Sequence, residues 1–248
     1  MKRYISVFLA AALCLMALGG CGCRHSWQEA TCEDPEICEK CGETQGEPLG
    51  HDPGSWQEVR DLERCLVVKF RECDECGELT DREEAQISSL VEGGLYLLTP
   101  EQFLDRISML YGSPVEWVMS DSDALIYIGE NMGSQVLAQF FANDAQPLAP
   151  GDKETAKVWC ASFTTVGEAD AALRWAFFMA CDPTLDANAA LSLDAQLAVV
   201  QSDALAALEM FGYYTHNGLL YETACYPAGV MLEDQSVTMF NVYASDFR

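Results

Sequence analysis

The chain has 248 residues, of which 50% are hydrophobic, and its 39 acidic residues against 14 Lys and Arg give a formal charge of −25. Apolar content on this scale supports a packed core and excludes a disordered body. The acidic balance argues against nucleic acid, which is bound through basic side chains, and against a polybasic membrane contact.

The first twenty residues carry Lys2 and Arg3, then an almost unbroken apolar run from Ile5 to Leu18, then Gly19 and Gly20. A basic start, a short apolar stretch and small residues at a cut are the parts of a secretory signal. The run is too short for a helix that spans hydrocarbon, which needs roughly 20 apolar residues. Leu18-Gly19-Gly20-Cys21 resembles the lipobox of bacterial lipoproteins. The resemblance implies cleavage before Cys21, lipid attachment (palmitate among the acyl chains) at that cysteine, and display outside the cytoplasmic membrane. Gly20 stands where Ala or Ser is commoner, and an ordinary signal peptide that leaves Cys21 a plain thiol is the alternative.

Between Cys21 and about Arg82 the chain repeats itself. One copy runs His25, Trp27-Gln28-Glu29, Cys32, then Cys38-x-x-Cys41-Gly42; the other runs His51, Trp56-Gln57-Glu58, Cys65, then Cys73-x-x-Cys76-Gly77. Three cysteines and a histidine are a common structural zinc set, and a Cys-x-x-Cys turn presents two sulfurs to one ion. Segments of about 30 residues are too small to hold together by burial alone.

Two registers are open. The preferred one assigns His25, Cys32, Cys38 and Cys41 to one zinc and His51, Cys65, Cys73 and Cys76 to the other, with Cys23 spare or replacing His25. The second joins Cys32, Cys38 and Cys41 to His51. Disulfides are the competing chemistry outside the cytoplasm, but Cys23, Cys32, Cys38, Cys41, Cys65, Cys73 and Cys76 are an odd number, and they leave the histidines without a role. A thioredoxin-like redox reading is weaker, because glycine rather than a helix follows each pair. The stretch resembles the Trp- and Cys-rich repeats of exported proteins and lipoproteins of Gram-positive bacteria, which implies surface display rather than a reaction.

Beyond Ile87 regular patterns begin. Thr99-Pro100-Glu101-Gln102 reads as a helix start with a capping box, and Gly112 as its end. Strands are expected at 117–119, 125–128, 136–141 and 158–163. A second helix is expected after Thr165-x-x-Glu168, running to Cys181. A third is expected from near Ser192, placing Leu197, Val200, Ala204, Leu208 and Phe211 on one face with Gly212 closing it. Asn217-Gly218 is a hairpin turn, followed by strands at 219–226, 230–232 and 237–243. The fold class is α+β, an antiparallel sheet with helices packed on one face, preceded by the small zinc-ribbon-like module. The divisions are 1–20 signal, 21–82 module, 83–98 linker and 99–248 α+β domain.

No catalytic set stands out. His216 sits in the Asn-Gly turn, and Cys160, Cys181 and Cys225 read as small buried hydrophobes, with a disulfide between two of them an alternative. The leading functional reading is a non-enzymatic lipoprotein whose larger domain binds a protein or small ligand, and it predicts an exposed apolar patch. The alternatives are an envelope hydrolase with a deep pocket holding facing carboxylates or a cysteine, and a metal or redox sensor with labile zinc.

Overall fold

The computed structural model describes residues 23–129, 135–142, 146–167 and 170–245. Cys21 and the signal stretch lie outside them, as does Glu168. The chain divides into two compact units, one built from residues up to Glu58 with Lys69–Glu83, the other from Val59–Val68 with the chain from Glu84 onward. The elements are mixed: mostly antiparallel sheet, with three α-helices among the described residues.

The first unit opens with β1 (Trp27–Gln28), β2 (Glu36–Cys38) and β3 (Thr44–Gln45), an antiparallel sheet in the order β1-β2-β3 with Trp27 opposite Cys38 and Ile37 opposite Thr44. A second three-stranded sheet has the order β4 (Gln57–Asp61), β5 (Leu66–Glu72), β6 (Leu79–Gln86), and the unit boundary falls inside each of its strands. Among the described residues of this unit, the buried hydrophobic side chains are Cys32, Cys38 and Cys73. Among its described residues there is no aliphatic or aromatic core.

The second unit has one. Residues 83–98, expected as a linker, contain the end of β6 and a hairpin of β7 (Val91–Glu92) and β8 (Leu95–Tyr96), and Leu90, Tyr96 and Leu98 are fully buried. Helix α1 (Pro100–Tyr111) begins as the sequence predicts. The Thr99 hydroxyl accepts from Gln102 N–H, the Gln102 side chain accepts from Thr99 N–H, and Gly112 ends the helix in the left-handed region. A seven-stranded sheet follows, built from β9 (Trp117–Met119), β10 (Ile126–Gly129), β11 (Gln135–Phe141), β12 (Cys160–Val166), β13 (Phe211–His216), β14 (Leu219–Tyr226) and β15 (Val237–Tyr243). Its order is β13-β14-β15-β12-β11-β10-β9, every pair antiparallel. The Asn217-Gly218 turn is the expected two-residue hairpin, both residues at positive φ.

Two helices separate β12 from β13: α2 (Ala171–Cys181) and α3 (Ala187–Ala206). Aromatic rings join helices to strands. Phe163 of β12 stacks on Phe177 of α2 at 5.0 Å, Phe178 of α2 meets Tyr221 and Phe240 edge-on, and Phe103 of α1 lies against Phe140 of β11. Arg106 of α1 is 5% exposed. It donates to the carbonyls of Met179 and Ala180 at the end of α2 and of Glu63 in the 59–68 segment. A cation at a helix C-terminus answers carbonyls that have no intrahelical partner.

Three expectations are corrected. Thr165 stays in β12, and α2 is capped by Asp170, whose carboxylate accepts from Ala172 N–H. Helix α3 starts five residues early, at Ala187 behind the cap of Asp186, and stops at Ala206. Leu208 is then 95% exposed at φ 62°, and Phe211 and Gly212 belong to β13. Gly212 is a close-approach glycine rather than a cap: a Cβ there would stand 2.8 Å from Val200 Cγ1 and 3.0 Å from Val200 backbone atoms. Val230–Leu232 is a turn instead of a strand, with Gly229 N–H bonded to the Leu232 carbonyl and all three side chains exposed.

Truncating Phe178 to Ala removes contacts with three rings at once and is expected to cost about 3–5 kcal/mol of unfolding free energy. Leu208→Gly relieves a left-handed leucine that buries nothing and is expected to stabilise by roughly 1 kcal/mol. Urea unfolding of both variants checks the pair.

Candidate metal centre

Both halves of the first unit build the same turn. Gly42 N–H donates to the Cys38 carbonyl at 2.8 Å and Cys38 N–H to the Glu43 carbonyl at 2.8 Å; Gly77 N–H donates to the Cys73 carbonyl at 2.8 Å and Cys73 N–H to the Glu78 carbonyl at 2.7 Å. Gly42 and Gly77 share φ 73°, the left-handed conformation that glycine takes without strain and that closes the turn. The residue after each histidine is tied to the turn in the same way. The Ser26 carbonyl accepts from Glu39 N–H, and the Asp52 carbonyl accepts from Asp74 N–H. Gly54, two residues further, approaches so closely that a Cβ would fall 2.3 Å from Asp74 Oδ1.

These ties assemble two groups that could hold a metal ion, Cys23, His25, Cys38 and Cys41 in one and Cys32, His51, Cys73 and Cys76 in the other. Within each, all ligand atoms lie within 4.8 Å of one another. The Cys23 and Cys38 sulfurs are 3.9 Å apart and those of Cys32 and Cys73 3.7 Å. Cys41 Sγ stands 3.5 Å from His25 Nδ1, and Cys76 Sγ 3.4 Å from His51 Nδ1. Four sulfur ligands at zinc's usual bond length make a tetrahedron with edges of about 3.8 Å, whereas a disulfide needs about 2.05 Å. The spacing suits a shared ion, and every described cysteine is a free thiol.

The grouping differs from the preferred register of the sequence. His25, Cys38 and Cys41 come together, as do His51, Cys73 and Cys76, but Cys23 completes the first group and Cys32 the second. Cys32 reaches forward because residues 49–50, just before His51, pair with it: Leu49 N–H donates to the Thr31 carbonyl and Gly50 N–H to the Cys32 carbonyl. Cys65 is in neither group. Buried in the core of the second unit, its Sγ faces the Leu62 carbonyl at 3.5 Å, and burial pushes its thiol up in pKa against the nearby Arg106 charge. Cys32 and Cys65 share a backbone setting, their carbonyls accepting from Gly50 and Ile87 N–H, yet a ligand need not serve its own copy. Cys23, two residues before His25, was the available sign that it does not.

Each histidine turns Nδ1 to the sulfurs and Nε2 to a carboxylate, His25 to Glu43 at 3.6 Å and His51 to Glu78 at 3.2 Å. Such an outer carboxylate fixes the ring's tautomer and orientation and raises its basicity as a ligand. Both glutamates follow the Cys-x-x-Cys-Gly turn directly, a Cys-x-x-Cys-Gly-Glu signal present in both copies that the reading of the sequence passed over. The tryptophans do unequal work. Trp27 stacks on His25 at 4.9 Å, while Trp56 is 46% exposed and carries the Arg71 guanidinium 4.7 Å above its ring.

The thiols of each group are electrostatically unequal. Burial pushes Cys38 up, but the backbone amides of Lys40, Ser26 and Cys41 outweigh it and bring the thiol down to about 6. The backbone amides of Cys76 and Glu75 bring Cys73 to about 6 as well, burial opposing. Burial, with the neighbouring sulfurs, raises Cys23 and Cys32 to about 12. One cysteine in each group is thus already a thiolate near neutrality, and another gives up its proton only to a cation.

The remaining candidates do not assemble. His216 stacks on Tyr214 and stands 4.0 Å from Asp182. Cys160 and Cys181 are buried free thiols, raised in pKa by that burial, and Cys225 Sγ accepts from the Thr238 hydroxyl at 3.8 Å. Compared with known proteins, the chain matches no family model, no curated protein and no solved structure.

Two outcomes are expected. Cys32→Ser unprotects Cys73 and Cys76 toward alkylation while Cys38 and Cys41 stay protected in metal-loaded protein, and Cys65→Ser changes neither pair; alkylation followed by peptide mass analysis reads this. Metal binds the thiolate, and metal-free Cys38 and Cys73 take up protons as the pH falls through about 6. Affinity for cobalt(II), followed by its visible absorption, should therefore fall with falling pH, and more steeply below about 6, where Cys38 and Cys73 add their protons to those of Cys23 and Cys32.

Proposed function

We propose that the chain is an exported, lipid-anchored protein in which a zinc-ribbon-like module holding two structural zinc ions serves as a spacer for a non-enzymatic α+β binding domain. One observation carries the zinc reading: two Cys3His groups at tetrahedral spacing include the only buried hydrophobic side chains described in the first unit. Four protein ligands leave no position for water or substrate, which favours a structural over a catalytic ion.

The larger domain, with its helices taken to cover one face of the seven-stranded sheet, is assigned to binding. An exposed apolar group supports this: Leu205, Leu208, Met210, Val230, Met231 and Leu232 are all at least 43% exposed. The Tyr226–Met210 contact brings the start of β13 to the end of β14, next to the 227–232 turn. Among the described residues no helix is long and apolar enough to cross a membrane, and the anchor is assigned to lipid on Cys21, facing outside.

Native mass spectrometry with thiol counting, on protein beginning at Gly22, is expected to find two zinc ions and six module cysteines protected until chelator is added. Absence of metal, or disulfide-linked module cysteines, would sink the zinc assignment. Detergent-phase partition of the full chain that survives Cys21→Ala would sink the lipid anchor.

A further inference from the structure

The second unit contains a cavity of about 470 Å³ between α3 and strands β14 and β15. It exists because small residues face small residues there. Ala195 and Ala198 of α3 line one side and Thr223, Cys225 and Thr238 of the sheet the other, with Leu191, Leu205 and Phe240 at the edges. The cavity opens to solvent beside Leu191, Ala195, Ala198 and Leu205, all exposed, and its volume falls within the range of preformed small-molecule sites.

The lining is mostly apolar, and its only charges cancel. Arg174 donates to both Asp194 oxygens at 2.7 and 2.6 Å, Trp175 Nε1 adds a third bond at 3.1 Å, and the guanidinium lies over the Phe240 ring. That pair offers no unmatched charge to a ligand. One polar atom of the wall is unmatched: Gln201 is 7% exposed, its Nε2 donates to the Met210 carbonyl at 3.4 Å, and its Oε1 has no partner. A buried acceptor without a donor costs about 1–3 kcal/mol. Gln201 lines the cavity, and its terminal amide torsion is broad, so giving up the long 3.4 Å bond to Met210 frees that amide to turn its oxygen to a donor there.

We infer that this cavity binds an uncharged, largely apolar small molecule carrying one hydrogen-bond donor, a hydroxyl or N–H, that Gln201 accepts. The inference rests on the reading of the larger domain as a binding domain and names the class of its ligand. An anion is disfavoured by the protein's charge of −25, and a cation finds Asp194 already paired.

The test uses N-phenyl-1-naphthylamine, a neutral aromatic amine whose fluorescence rises in apolar surroundings, with 1-phenylnaphthalene as a similar probe that lacks the N–H. The zinc-loaded protein should bind the amine one to one. Gln201→Leu should weaken it about five- to tenfold, the worth of one hydrogen bond, and leave 1-phenylnaphthalene unaffected. Ala198→Trp, which fills the cavity, should abolish both. In the unmodified protein, bound amine should slow alkylation of Cys225.

No saturable binding, or binding untouched by Ala198→Trp with Cys225 unprotected, overturns the site. Equal loss of both probes in Gln201→Leu overturns the donor recognition. Cys225 protection decides the matter if the tryptophan variant does not fold. Zinc content and detergent partition report on the spacer reading separately, so failure of one is not failure of the other.

Discussion

The architecture of the first unit depends on sulfur being its interior. Cys32, Cys38 and Cys73 are buried where a larger domain would place leucine or phenylalanine, and strands of two or three residues cannot hold a sheet together alone. Three features answer to this one constraint: the Cys-x-x-Cys-Gly turns that lower one thiol in each group, the segments after His25 and His51 hydrogen-bonded to those turns, and the glutamates behind the rings. A structural zinc supplies apparent binding energies of about 10–16 kcal/mol in small peptides, more than burial could provide at this size.

The second unit is organised by aromatic packing. Phe103, Phe140, Phe163, Phe177, Phe178 and Tyr221 are all at most 1% exposed, and α1 and α2 are held to the strands through them. Arg106 supplies the polar counterpart, tying α1 to the end of α2 and to the 59–68 segment through carbonyls with few other partners. Where this packing thins, between α3 and β14–β15, the small residues leave space instead of core.

How much was legible follows from how local each signal is. The Thr99 capping box, the Asn217-Gly218 turn and the Cys-x-x-Cys-Gly turns are fixed by residues a few positions apart, and the structure places them where the spacing does. Apart from the starts of α2 and α3, the mistaken elements are those where an apolar residue is exposed or a glycine has another purpose. Leu208 carries the helical period but lies beyond the helix, Val230–Leu232 carries strand composition but turns, and Gly212 serves contact with Val200 rather than a cap. The metal groups were legible in residue type and partly in membership: six of the eight expected ligands fall in their expected groups. The other two positions depended on which copy a cysteine serves, a long-range choice made by the pairing of residues 31–32 with 49–50. The cavity left no local trace, because it arises from small side chains on elements far apart in sequence.

The forward reach of Cys32 gives the module a direction. Each copy supplies a histidine and a pair of cysteines for itself and lends its remaining cysteine to the copy that follows. Cys65 occupies the lending position with no successor; its carbonyl accepts from Ile87 N–H, as that of Cys32 accepts from Gly50 N–H, but Ser88 stands where the histidine would be. An array built this way can lengthen by whole copies without stranding a ligand, since a newcomer inherits its fourth donor from its predecessor. Deleting an interior copy also preserves the chain of loans, whereas cutting midway through one disables two sites at once. The length of the module can therefore change in discrete steps during evolution, while the domain that follows stays the same.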